Sequence, residues 1–151
     1  MLKSMDPLLS PDLLATLRAM GHGDTIAIVD GNFPAEANAR RLIRLDGHSS
    51  VRVLDAVLSV LPLDDFAPDA ACRMEVVGDA TAEMPIFAAF RNCLLRHEPK
   101  AGATLGTLER HAFYAAARAA FAIVATGETQ LYGNILLRKG VISPTIVPTA
   151  G

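Results

Sequence analysis

Gly21-His22-Gly23-Asp24-Thr25-Ile26-Ala27-Ile28-Val29-Asp30-Gly31 is the stretch that decides the fold of this 151-residue chain. Thr25–Val29 is apolar at every position after the first and rich in β-branched side chains. It lacks the in-out alternation of a half-buried strand, so it reads as a strand covered on both faces, as in a sheet flanked by helices. Glycines on either side of His22 let the backbone approach a ligand or take up a positive φ. Histidine exchanges protons near neutral pH. Two readings of His22 therefore stand: a turn histidine packed over a strand end, or a proton-transfer group facing a small molecule. Asp30-Gly31 is likewise either a plain strand-ending turn or a binding carboxylate. A continuous extended backbone would hold His22 and Asp30 some ~25 Å apart. They meet only if the glycine loop folds back, or if another subunit completes the site.

Outward from this strand, helical and strand patterns alternate. Residues 11–20 read as a helix with Ser10 as N-cap, Pro11 in the first position and Gly21 as the stop. Leu13, Leu14, Leu17 and Met20 form its apolar stripe. Asn32-Phe33-Pro34 opens a loop, because the residue before proline avoids the α region. Strands are expected at 42–45, 71–77, 104–109, 121–125 and 133–138, and helices at 50–61, 81–96 and 111–119. The alternation predicts an α/β fold: one compact domain, residues 1–142, with a mostly parallel sheet flanked by helices. The Pro/Thr-rich segment 143–151 is expected to be a flexible tail. In such sheets ligands gather beyond the carboxyl ends of the strands, where Asp30 stands.

Composition narrows the function. Apolar residues make up 51% of the chain and the mean hydropathy is +0.31, which suggests a densely buried sheet or an apolar surface covered by a partner. The net charge of −2 comes with scattered basic residues, which argues against a nucleic-acid partner. No signal-peptide pattern and no membrane-spanning run is present, so a cytoplasmic protein is expected. No GxGxxG, Walker-type or GxSxG motif supports a nucleotide cofactor or a serine nucleophile. No two histidines stand at i, i+4, and Cys72 and Cys93 show no metal-type spacing and read as buried thiols. No metal and no cofactor is therefore expected. His48, His97 and His111 read as incidental, with His97 complementing a helix C-terminus. Arg110 at a helix start is unfavourable against the dipole, which favours a ligand or carboxylate partner over a purely solvated role. Tyr132-Gly133-Asn134 is a turn signal that also offers a hydroxyl and a carboxamide, groups that hydrogen-bond sugar hydroxyls.

The ordered set Gly21-His22-Gly23-Asp24, Asp30 with Phe33-Pro34, Arg110 with Phe113-Tyr114, Thr126-Gly127-Glu128, Tyr132-Gly133-Asn134 and Lys139-Gly140-Val141 resembles the sugar mutarotase family that contains L-fucose mutarotase and D-ribose pyranase. The likeness runs from residue 9 to about residue 141. It implies a ring-forming subunit, commonly a decamer, with sites shared between neighbours. It implies interconversion of the α and β anomers of a free monosaccharide by acid/base ring opening and closing. The alternatives it leaves are pyranose/furanose interconversion of the ribose-pyranase type and a non-catalytic sugar-binding regulatory subunit. Carried over by position, His22 and Tyr132 match catalytic residues, while Asp30, Arg110, Tyr132 and Asn134 match sugar-binding ones. Asp64 matches an acidic position of the fucose branch, with Asp65 as the alternative. Phe33-Pro34 and Tyr132-Gly133-Asn134 resemble the fucose branch, whereas the ribose branch more often has Leu-Pro and Tyr-Ala-Asn. Gly31-Asn32 departs from the Ala-His frequent in fucose mutarotases, and Asn32 hydrogen-bonds without shuttling a proton.

Overall fold

The computed structural model describes residues 1–144, so most of the tail expected at 143–151 lies outside the described residues. Six strands form one sheet: β1 (Thr25–Val29), β2 (Leu42–Leu45), β3 (Ala71–Met74), β4 (Leu105–Leu108), β5 (Ala122–Thr126) and β6 (Ile135–Arg138). Their order across the sheet is β2-β5-β1-β6-β3-β4. The pairs β1/β5, β2/β5 and β3/β4 are parallel, and β6 runs antiparallel to both its neighbours, β1 and β3. The sheet is thus mostly parallel with one reversed strand, and the reversal has a simple cause. A parallel return needs a long crossover, whereas the eight residues 127–134 suffice to turn the chain and send it back through the sheet.

β1 is covered on both faces, as its composition requires. Ile26 and Ile28 enter one core with α1 (Pro11–Ala19), α3 (Ser50–Leu58) and α4 (Pro85–His97). Ala27 and Val29 enter a second core with Phe113 and Ala117 of α5 (Arg110–Ala119). All four strand residues are fully shielded from solvent. β5 alternates in the same way, with Val124 on the first face and Ile123 on the second.

Local chemistry sets the helix ends. The Ser10 hydroxyl accepts the Leu13 N–H at 3.2 Å, with Pro11 as the first helical residue. α4 begins at Pro85, four residues later than its apolar pattern suggests, because Met84 before the proline is held extended. α5 begins at Arg110, where the Glu109 carboxylate accepts the His111 and Ala112 N–H groups. A one-turn helix, α2 (Ala35–Asn38), follows Phe33-Pro34 where only a loop was expected. β3 stops at Met74, three residues short of the expected end; Val76 instead bridges Asp79 across a tight turn through Gly78 at φ +84°. Cys93 is fully buried, but Cys72 is only half-buried, since it sits on the sheet face opposite Ala71 and Arg73 near the β3–β4 edge.

Candidate active site

The reversed strand builds one site at its start. β6 begins beside the end of β1, so Asn134 lies against Asp30 although 104 residues separate them. The Asp30 N–H donates to Asn134 Oδ1 at 2.9 Å, and Asn134 Nδ2 donates to Asp30 Oδ2 at 2.9 Å. Both residues are buried. Burial raises the Asp30 carboxyl above its ordinary value, although hydrogen bonds from Asn32, Asn134 and nearby backbone pull the other way.

Around this pair opens a groove of about 200 Å³ that also receives Phe33, Arg110, Tyr114 and Tyr132. Phe33 stacks on Tyr114 with ring centroids 5.0 Å apart, and the Arg110 guanidinium sits 5.6 Å above the Tyr114 ring. Arg110 makes no ion pair among the described residues. Its exposed guanidinium at a helix start borders the groove, with the Glu109 carboxylate near enough to feel its charge but not paired with it. Tyr132 takes φ +62°, a left-handed conformation that a bulky residue adopts only under constraint. Its hydroxyl accepts the Val77 N–H at 3.1 Å, which fixes the ring across the groove. Carboxylate, carboxamide, guanidinium and phenol thus converge on a space bounded by aromatic faces. Such a set suits a neutral polyhydroxylated molecule, with hydroxyls for the polar groups and C–H faces for the rings.

A second cluster forms at the other end of the sheet. Lys139, just past β6, bonds back to the turn before β1: Gly23 N–H donates to the Lys139 carbonyl and Lys139 N–H to the Asp24 carbonyl. Gly23 holds φ +86° there, so of the two flanking glycines it is the one whose backbone demands it. The Arg138 carbonyl accepts the Asp64 N–H, which carries the 63–66 segment to the same place. His22 Nε2 lies 3.3 Å from Asp64 Oδ1, with His22 half-exposed and the Asp64 side chain 8% exposed. Asp65 is exposed, so Asp64 is the carboxylate that faces the imidazole. Burial acts to raise the Asp64 carboxyl, but the Phe66 N–H, His22 and Arg138 outweigh it and hold it below the ordinary value. A carboxylate at this distance holds the imidazole by one ring nitrogen and leaves the other free. Phe66 covers the imidazole edge-on, 6.1 Å between centroids, and is itself 75% exposed.

Within one chain, then, the expected residues fall into two groups. Asp30, Arg110, Tyr132 and Asn134 share the groove; His22 and Asp64 stand at the opposite end of β1, roughly 17 Å of strand away. Glu128 is a structural member that its sequence context, a turn, concealed. Its buried carboxylate accepts the Ser50 N–H (3.2 Å), the Ser50 hydroxyl (3.3 Å) and the Gln130 N–H (3.0 Å), and its carbonyl accepts the Gly31 N–H. The Glu128 Cγ also packs where a Gly133 side chain would be. One residue thereby braces the loop carrying Tyr132 and Asn134 against the loop after Asp30. An acidic residue two positions after a fully buried strand is the sequence signal for such a role.

The fold and these two polar ends define a small α/β protein with a groove suited to a small polyhydroxylated molecule. The chain belongs to the RbsD / FucU transport protein family, which it matches over residues 3–142. It is 43% identical to the fucose mutarotase of Bos taurus over 149 residues, 95% of each chain. It is also 43% identical to that of Homo sapiens over 150 residues, covering 94% of this chain and 95% of the human one. The crystal structure of the Streptococcus pneumoniae fucose mutarotase in complex with L-fucose superimposes with a TM-score of 0.85 at 41% identity, covering 94% of this chain and all of that one. Among the described residues no helix is long and apolar enough to cross a membrane.

Proposed function

We propose that the protein is a cofactor-independent mutarotase that interconverts the α and β anomers of L-fucose or a closely related sugar. The observation that carries this reading is the pair of polar ends, a sugar-sized groove at one and a carboxylate-oriented histidine at the other, in a chain 43% identical to fucose mutarotases. Ring opening needs a base to take the proton from the anomeric hydroxyl and an acid to protonate the ring oxygen as the bond between C1 and that oxygen breaks. The open-chain aldehyde turns about C1–C2 and closes by the reverse transfers. His22, oriented by Asp64, is suited to one transfer and the Tyr132 phenol to the other, each contributing roughly 10²–10⁴-fold. Asp30, Asn134 and Arg110 bind the sugar hydroxyls. The two free thiols fit a reducing, cytoplasmic setting.

A complete site on this reading takes His22 and Asp64 from one subunit and the groove from its neighbour, in a ring for which the family resemblance implies ten subunits. Three large exposed apolar side chains support it: Phe66 beside His22 at 75% exposure, and Val77 and Leu131 at the groove rim at 60% each. Such residues at both half-sites are what contact with a second copy would cover. Gly133 follows the fucose branch in sequence, and the alanine usual in the ribose branch would set a Cβ 2.6 Å from Glu128 Cγ here.

Saturation-transfer NMR of anomer exchange across L-fucose, D-galactose and D-ribose tests the activity. Acceleration for L-fucose that His22→Ala abolishes is expected. Calorimetric binding without acceleration of any sugar would replace the enzyme with a sugar-binding subunit, and rapid exchange of ring size in ribose would shift it to the pyranase type. Co-expressing His22→Ala with Asp30→Asn chains tests the shared site. Partial recovery of exchange is expected, and a monomer near 16.0 kDa in solution would overturn it.

A further inference from the structure

Away from both half-sites, α3 and α4 bring three metal-ligating side chains to one point. Cys93 and His97 lie one helical turn apart on α4, and Asp55 faces them from α3. Asp55 Oδ1 is 2.7 Å from His97 Nε2 and 3.9 Å from Cys93 Sγ, and the three ligand atoms all fall within 4.8 Å of one another. Zinc bonds thiolate, imidazole and carboxylate at about 2.0–2.3 Å, which spaces tetrahedral ligand atoms roughly 3.3–3.6 Å apart. The separations here straddle that spacing. Cys93 is fixed in the core, whereas the His97 and Asp55 side chains are 24% and 35% exposed and have room to adjust.

We propose that Cys93, His97 and Asp55 bind one zinc ion, with water as the fourth ligand, and that the ion staples α3 to the last turn of α4. Thiolate and imidazole together select zinc over the hard cations magnesium and calcium. Burial and the Asp55 carboxylate push the Cys93 thiol up to about 11, so the metal-free chain keeps that proton. A coordinating thiol gives up its proton to the ion, and binding releases it to solvent. Two cations oppose the ion. Arg96 Nη2 lies 3.4 Å from Asp55 Oδ1, but its side chain is 63% exposed and can swing into water. The Arg52 charge also reaches Asp55, yet its guanidinium is held by a two-pronged pair with Asp6 at 2.7 and 2.8 Å.

The position gives the staple a consequence. Glu98, the residue after His97, accepts the Leu63 N–H through its carboxylate, and Leu63 precedes the Asp64 that faces His22. An ion at His97 anchors the helix end from which that segment hangs. The sequence displays the i, i+4 spacing of Cys93 and His97, but weighing histidine pairs and cysteine pairs separately passes over it. Asp55, 38 residues from Cys93, is placed only by the packing of the two helices.

Titrating untagged, chelator-stripped full-length protein with Co²⁺ tests the site. One equivalent is expected to produce a thiolate-to-cobalt charge-transfer band and the visible bands of a tetrahedral ion, both displaced by one equivalent of Zn²⁺. Cys72→Ser keeps these bands and Cys93→Ser loses the charge-transfer band. His97→Gln, at the part-exposed end of α4 and so able to fold whatever Cys93→Ser does to the core, weakens zinc binding about 100-fold or more. No charge-transfer band in folded wild-type protein, a band that survives Cys93→Ser, or unchanged zinc affinity in His97→Gln would overturn the proposal.

Discussion

Asp30 and Asn134 exchange two hydrogen bonds of 2.9 Å across 104 residues of chain, one from backbone and one from side chain, in a buried setting. The exchange exists because β6 starts where β1 ends and runs back alongside it. The same antiparallel pairing delivers Lys139 to the turn before β1 and so stations the His22–Asp64 pair at the far end. A single reversed strand thus separates the Asp30–Asn134 pair from the His22–Asp64 pair.

Asn134→Ala would leave the Asp30 N–H and Oδ2 without their partner in a buried site. The loss is expected to cost about 1–3 kcal/mol of stability, the penalty for an orphaned buried group. Urea unfolding measures it. A variant as stable as wild type would mean that Asp30 is satisfied in another way.

The two acidic site residues titrate in opposite directions from the ordinary 3.8. Asp64 lies lower in the folded chain, so its stabilising contribution is complete above the unfolded value and fades as pH falls through the folded one. Asp30 lies higher, so its contribution is present below the unfolded value and lost as pH rises through the folded one. Carboxyl carbon NMR titration is expected to find Asp30 above 3.8 and Asp64 below it. His22→Ala should move Asp64 upward and leave Asp30 in place. A shared movement of both would contradict their separation.

Glu128→Ala removes the acceptor for three donors, two on Ser50 and one on Gln130. The expected loss is about 1–3 kcal/mol, with a weaker grip on L-fucose because the Tyr132 loop loses its brace. Glu128→Gln keeps one acceptor oxygen and should recover part of both. Calorimetry of sugar binding together with the melting curve separates the effects; intact binding in a destabilised Glu128→Ala protein would confine Glu128 to stability.

Gly133→Ala would place a Cβ 2.6 Å from Glu128 Cγ, 3.2 Å from Ile86 Cδ1 and 3.3 Å from Asp30 Cβ. Overpacking of this kind typically costs 1–3 kcal/mol, and about that loss is expected here. Relief of the clash by Glu128→Ala in the double variant would appear as non-additivity in a mutant cycle. Additive losses would mean that the two residues do not share the space.

The alternation of periods along the chain was enough to place all six strands: β1 and β5, buried along nearly their whole length, are apolar nearly throughout, and the shorter β2 and β4 are marked by the turns around them. Four of the five helices were legible for the complementary reason, one apolar stripe each. α2 was not, since a single turn after Phe33-Pro34 carries no periodicity. The α4 start expected at 81 falls four residues too early, because Met84, directly before Pro85, is held extended. At the site, the residue types alone marked His22, Asp30, Arg110 and Asn134 as candidates. They did not choose between Asp64 and Asp65, adjacent carboxylates that differ only in which way the folded backbone turns them.

What the sequence determined by itself was which residues are apolar, how often they recur and hence which elements form and which faces they bury. Those are local properties, carried by neighbours within a turn of helix or a few residues of strand. The tertiary structure alone decided that β6 runs backwards, that Asn134 locks onto Asp30, and that Glu128 braces their loops. It also decided that Asp55 meets Cys93 and His97, and that the histidine stands a strand's length from the groove. Each of these depends on the direction in which distant segments pack, and no nearest-neighbour pattern encodes a direction.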